Sequence, residues 1–157
     1  MKQRLERKTD GEYSYRDTPV RAISVLDCEI VKGNRIVNKR GCSNAWVVET
    51  RVVPQYRVEV KPWTIRVATE YCDLHGDIIF HGDIVDVYYN EEWRRGEVFQ
   101  CSDEYEFVPY NSKGICLLHS GEERWLSEID RNDIEIVGTS LSKQCEEYKI
   151  IDKMVLV

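Results

Sequence analysis

Two Cys-x-x-His pairs, Cys72 with His75 and Cys116 with His119, are the residues of this chain whose types and spacing come closest to chemistry, and His81 follows soon after the first pair. Zinc accepts two thiolates and two imidazoles in a tetrahedron, and ligands separated by two residues suit a tight turn. Strand geometry opposes the second pair. If residues 115–119 form a strand, positions 116 and 119 point to opposite faces, and only a bulge would let them grip one ion. Cysteine is also a frequent small core residue. The preferred reading of all five is therefore core thiols and turn histidines, with Cys72, His75, His81, Cys116 and His119 kept as metal candidates and no cofactor expected.

A thiol nucleophile would pair Cys72 or Cys101 with His75, His81 or His119 and a nearby Asp. No nucleophile elbow or oxyanion loop accompanies them. The adjacent acids Glu91-Glu92, Glu122-Glu123 and Glu146-Glu147 stand in polar turns or a helix, where solvated charge explains them better than acid-base work. P-loop and dinucleotide glycine patterns are absent. No catalytic residue is expected.

Binding is better represented. Tyr88, Tyr89, Trp93, Tyr105, Phe107, Tyr110 and Trp125 are interleaved with strand-like sequence, and alternation should bury about half of them and expose the rest. Tyr88 and Trp93, with Arg94 and Arg95 beside the latter, are candidate contacts for an anion or a partner. Residues 1–70 carry 14 Lys plus Arg against 9 Asp plus Glu, whereas the remainder carries 8 against 19. A basic first half can dock onto an acidic second half, within one chain or on a second copy. Overall acidity argues against generic nucleic-acid binding, which depends on neutralising phosphates. A polyanion site built from Arg35, Lys39, Arg40, Arg51 and Arg57 in the basic half survives that objection.

These side chains must be positioned by a small β-rich framework. With 157 residues, 42% of them hydrophobic and 32% charged, the chain suits one compact domain, or a small domain with an elaborated arm. No apolar run approaches the ~20 residues needed to span a bilayer. The charged N-terminus lacks the apolar stretch of a secretory signal, and the six scattered cysteines read as free thiols, so a cytoplasmic setting without membrane partners is expected. Residues 20–31 and 35–39, joined by a turn at 32–35, suggest a first hairpin. Residues 45–53 read as a strand stopped by Pro54, and 55–60 alternate. Residues 82–89 lead through a turn at 90–92 into 93–101. Further strands are expected at 104–110, 115–119 and 133–138, with one helical turn at 125–129. A short helix capped by Ser142 and an apolar final strand at 153–157 complete the reading.

Gly76 and Gly82 suit positive φ, and Asp77 and Asp83 can bind nearby amides, so both sites read as turns flanking residues 78–80. Residues 60–85 also carry an ordered set: Pro62, Thr64 and Ile65; Tyr71 and Leu74; then Gly76, Ile79, Phe80, Gly82, Asp83, Ile84 and Val85. Together with Trp125-Leu126 and the run 133–138, this set resembles the YopX family of phage and prophage proteins. Cys72, Asp73 and His81 depart from its usual residues, and the first 59 residues diverge. The resemblance implies a mainly β fold and a phage or prophage origin, and brings no catalytic residues. The expected architecture is a mainly β chain in which an SH3-like barrel (67–139) carries a packed N-terminal β arm (1–66) and a C-terminal tail (140–157). The expected role is that of a non-enzymatic interaction or assembly protein, a homo-oligomer with a phage or host partner, acting in a bacterial cytoplasm; a nucleic-acid-binding module is the alternative.

Overall fold

A computed structural model describes residues 5–7, 12–15, 19–39, 44–99 and 114–155. The chain is mainly β, and among the described residues the strands form open antiparallel sheets without closing into a barrel. Two compact units are distinguished: Ala68–Ser140 form one, and the described residues up to Val67, joined by those from Leu141 onward, form the other.

In the first of these units by sequence, β1 (Leu5–Arg7), β2 (Glu12–Tyr15), β5 (Arg35–Lys39), β6 (Ala45–Glu49) and β7 (Tyr56–Val60) make a five-stranded sheet in the order β1-β2-β5-β6-β7. Strands β3 (Val20–Ile23) and β4 (Ile30–Gly33) make a separate hairpin, and β3 also pairs with the first residues of β8 (Arg66–Cys72). The expected hairpin across residues 32–35 is thus corrected. Residues 32–35 form a corner between sheets, where Asn34 donates its backbone N–H to Val48 O (3.0 Å) and its side chain brackets Thr50 through Thr50 N (3.0 Å) and Oγ1 (2.7 Å). Gly33 fits there because a Cβ would lie 2.6 Å from Val48 O. The strand expected at 45–53 stops at Glu49, whose carboxylate turns back to bind Arg51 N–H and guanidinium.

Helix α1 (Ser140–Val155) belongs largely to this unit and corrects two further expectations. It starts before Ser142, and residues 153–155 continue it where a strand was expected, 156–157 lying outside the described residues. Burial decides this. Leu141 and Cys145, four residues apart, share one helix face and enter a core with Ile23 and Cys28, while Tyr148 and Ile30 pack against it. Tyr148 accepts a hydrogen bond from Trp63 Nε1, and Lys149 meets Glu29 at 2.5 Å.

In the unit Ala68–Ser140, the later part of β8 pairs with β9 (Ile78–Phe80), and a five-stranded sheet runs β13-β12-β11-β10-β14. Its members are β10 (Asp83–Tyr89), β11 (Glu92–Phe99), β12 (Ile115–Leu118), β13 (Glu123–Trp125) and β14 (Ile134–Thr139). The expected helical turn at 125–129 is a 3-10 turn over Leu126–Glu128. Alternation works as the pattern predicted: Val85 and Val87 are fully buried, and Tyr88 faces out. Val85, Val87, Val98, Cys116, Leu118, Leu126, Ile79 and Ile134 form the core. The expected strand at 104–110, with Tyr105, Phe107, Tyr110 and the neighbouring Cys101, lies outside the described residues.

The hairpin β10–β11 is closed by Asn90 and Glu91, both at positive φ (49° and 65°), between the paired residues Tyr89 and Glu92. Two positive-φ positions define the type I′ turn, whose preferred second residue is glycine. Glu91 carries a left-handed strain of ~1–2 kcal/mol that glycine avoids. Glu91→Gly is expected to stabilise the protein by about 0.5–1 kcal/mol after the entropic cost of glycine, seen as a rise of a few degrees in Tm. A lowered Tm would refute the turn assignment.

Candidate functional site

The sequence's chemical candidates separate in space. Cys116 points into the core of its sheet, where burial pushes its thiol up to about 11. His119 lies just beyond the same strand in an exposed turn. Cys72 is half-buried at the end of β8 and lines a cavity of about 280 Å³ with Tyr71, Ile79, Ile129 and Arg131. His75 is exposed and lies 3.5 Å from Glu135. His81 lies in the turn between β9 and β10, as expected of a turn histidine, but is buried. Among the described residues no three His, Cys, Asp or Glu side chains gather as a metal site.

The turn from β8 to β9 is organised by a residue to which the sequence assigns no turn role. Asp73, 1% exposed, accepts the backbone N–H groups of His75 (3.0 Å) and Asp77 (3.0 Å) on Oδ1 and that of Ile136 (3.1 Å) on Oδ2. Its carbonyl accepts Gly76 N (3.0 Å) and Arg131 Nε (3.0 Å). The amide-binding carboxylate at this turn is therefore Asp73, where Asp77 was expected. At the next turn the expectation for Asp83 holds, since its Oδ2 accepts Phe80 N–H at 2.8 Å. Gly76 and Gly82 adopt φ of 83° and 86°.

Two surfaces emerge as candidates for binding, one in each unit. The first is the outward face of the sheet β13-β12-β11-β10-β14. Cross-strand register places Tyr88 opposite Trp93, Asp86 opposite Arg95, Glu97 opposite Leu117, and Ile115 opposite Trp125. Opposed residues share a face. Tyr88, Trp93, Leu117 and Trp125 are each 40–50% exposed, and the rings of Tyr88 and Trp93 meet at 5.6 Å with a 57° tilt. The pair Arg94-Arg95 is split by the pleat: Arg95 faces outward and binds Asp86 (3.0 and 3.3 Å), whereas Arg94 turns to the other face, over the Tyr89 ring. They do not act as one anion contact.

The second surface is the face of β5, β6 and β7 that carries Arg35, Val48 and Arg57. Arg35 opposes Val48, and Val48 opposes Arg57, so the two arginines stand in one cross-strand row. Both line a cavity of about 420 Å³ with Val37, Val48, Thr50, Gln55 and Tyr56. Arg57 lies over the Trp46 ring at 4.6 Å. Arg51 is drawn away, because Glu49 holds it through two hydrogen bonds of 2.8 and 2.7 Å, and that contact keeps the Glu49 carboxyl down at about 2. Of the other basic candidates, Arg40 and the side chain of Lys39 lie outside the described residues. Sequence reading chose Arg35 and Arg57 by charge alone; the register of three strands is what assembles them.

No family model, curated protein or solved structure matches the chain.

The Asp73 network makes a prediction about pH. Burial raises its carboxyl pKa, but the amides of Ile136, Asp77 and His75 outweigh it and leave the folded value below the ordinary 3.8. A depressed folded pKa contributes stability that is complete above the unfolded value and is lost as pH falls through the folded one. Asp73→Asn sets an NH2 group against one or more of these N–H donors and is expected to cost ~1–3 kcal/mol at pH 7. Chemical denaturation at pH 7 and at pH 3 checks this: the deficit of the variant should shrink at the lower pH, and an unchanged deficit would contradict it.

Proposed function

We propose that this protein is a non-enzymatic interaction protein of phage or prophage origin that associates with a second copy of itself through the exposed aromatic face of its C-terminal sheet. The single observation that carries this reading is that Tyr88, Trp93, Leu117 and Trp125, large apolar side chains in three cross-strand rows of one sheet face, are left 40–50% exposed. Patches of this kind on otherwise polar surfaces mark interaction sites, and Trp and Tyr dominate the energetics of such contacts. On this face the Asp86–Arg95 pair neutralises its own charges, so burial against a partner leaves neither ion alone. The opposite charges of the two halves of the chain favour association between copies.

The ordered motif between residues 60 and 85, with the closing segment 125–138, supports placing the chain near the YopX family. The strand order β13-β12-β11-β10-β14, interrupted by a 3-10 turn before β14, supports an SH3-like relationship for this unit. Among the described residues no helix is long and apolar enough to cross a membrane, and a bacterial cytoplasm is the proposed setting.

Light scattering across micromolar concentrations at low salt should report a mass above that of the monomer. The double variant Trp93→Ser, Leu117→Ser should shift the mass toward the monomer with its circular dichroism retained. A wild-type mass that stays monomeric throughout would sink the reading.

A further inference from the structure

We propose that Cys28 and Cys145 are a redox pair that closes into a disulfide on reaction with a peroxide and staples helix α1 to the turn between β3 and β4. The pair is independent of the self-association reading, which rests on the other unit. The two cysteines are 117 positions apart in the chain, yet the Cys145 thiol donates to the Cys28 carbonyl oxygen at 2.7 Å. Both side chains enter one buried cluster with Ile23 and Leu141. A carbonyl oxygen lies ~2.4 Å from its own Cα, which puts the Cys145 sulfur within ~5 Å of the Cys28 Cα. Disulfides span Cα separations of about 4.4–6.8 Å, so side-chain rotation brings a bridge within reach. Both residues are thiols in this structure.

The turn holds Cys28 in an unusual conformation. Its φ of 56° lies in the left-handed region that residues with a Cβ rarely adopt. Ser24 N–H donates to Glu29 O at 2.9 Å, and the Asp27 carboxylate accepts the Ser24 hydroxyl and Glu29 N–H (3.1 Å), so hydrogen bonds on both sides of Cys28 fix its backbone. On the helix, Lys149 follows Cys145 by one turn and is bound by Glu29 at 2.5 Å. Its ammonium is held above the ordinary lysine range by Glu29 first, and the Cys145 sulfur adds to that. A cation beside a sulfur offsets the negative charge formed as the thiol loses its proton. Cys116 is the contrasting case: it is fully buried, its thiol is pushed up to about 11, and its core cluster includes no second cysteine among the described residues.

Exposure assigns the order of events. Cys145 is 6% exposed and Cys28 1%, so a peroxide meets Cys145 first. The Cys145 thiolate attacks one peroxide oxygen, the O–O bond breaks, and the sulfur becomes a sulfenic acid while the other oxygen leaves and takes up a proton as water. The Cys28 thiolate then attacks that sulfur, the S–O bond breaks, and the second oxygen leaves as water. The two thiols together lose two electrons and two protons, and hydrogen peroxide accepts them to give two waters. The resulting bridge closes most of the chain into one loop, where a crosslink restricts the unfolded state strongly. In a reducing compartment such a bridge is transient and reports oxidation.

The test treats the full, reduced chain with hydrogen peroxide, then maps its disulfides by mass spectrometry of a non-reduced digest and follows its thermal unfolding. A crosslinked peptide joining residues 28 and 145 is expected, with a Tm raised by about 5 °C or more that dithiothreitol reverses. Cys145→Ala should abolish both the crosslink and the reversible rise. Cys28→Gly, which suits the positive φ and so retains the turn, should do the same, and it serves where Cys145→Ala fails to fold. Cys72→Ser, in the other unit, should leave the crosslink and the rise unchanged. A digest of the peroxide-treated wild type without the 28–145 peptide would overturn the proposal, as would a reversible rise in Tm that persists in Cys28→Gly.

Discussion

A single buried carboxylate ties together the unit built from residues 68 to 140. Asp73 collects three backbone amides, two from its own turn and one from Ile136 on β14. Leu74 N–H donates to Ile134 O at 2.9 Å, beside the same junction. The β8–β9 turn is thereby attached to the last strand of the five-stranded sheet. Each amide would otherwise need another acceptor, and an ionised carboxylate is among the strongest that a protein can offer. The buried charge is tolerated because these donors replace its water. Positive φ at Gly76 lets the turn close tightly enough for one side chain to reach all three.

The pleat of a β-strand then explains how one sequence yields a dry core and a sticky exterior. Val85 and Val87 enter the core because Ile84, Asp86 and Tyr88 must face away, and register carries this parity from β10 to β11 and β12. The aromatic face and the hydrophobic core are two sides of the same alternation. In the other unit the same rule leaves Ile36 and Val47 fully buried and turns Arg35 and Val48 to the opposite side. Anything that slipped the register by one residue would exchange the two faces.

Helix α1 illustrates tertiary context overriding local pattern. Its last residues alternate in a way that suits a strand as well as a helix. Leu141 and Cys145 have a core to enter at helical spacing, and Lys149 has Glu29 to meet one turn further on. Ile150, Ile151 and Met154 remain exposed on the helix as a consequence. Packing of the first turns determines the fate of the rest, since each added helical residue costs far less than starting a new element.

The sequence by itself determined the turns at Gly76 and Gly82 and the parity of residues 84–89. Gly76, Gly82, Asp83 and the alternation of residues 84–89 were legible because backbone φ and the two-residue period are local properties of residue type. It also named Arg35, Arg57, Tyr88 and Trp93, but only as members of larger sets chosen by charge or aromaticity. Which members come together was a tertiary decision. Register across β5, β6 and β7 united Arg35 with Arg57, a carboxylate two residues away claimed Arg51, and the pleat parted Arg94 from Arg95. The corner at Asn34 and the reach of Asp73 to Ile136 were equally hidden, because each depends on a partner distant in sequence whose position only the folded chain supplies.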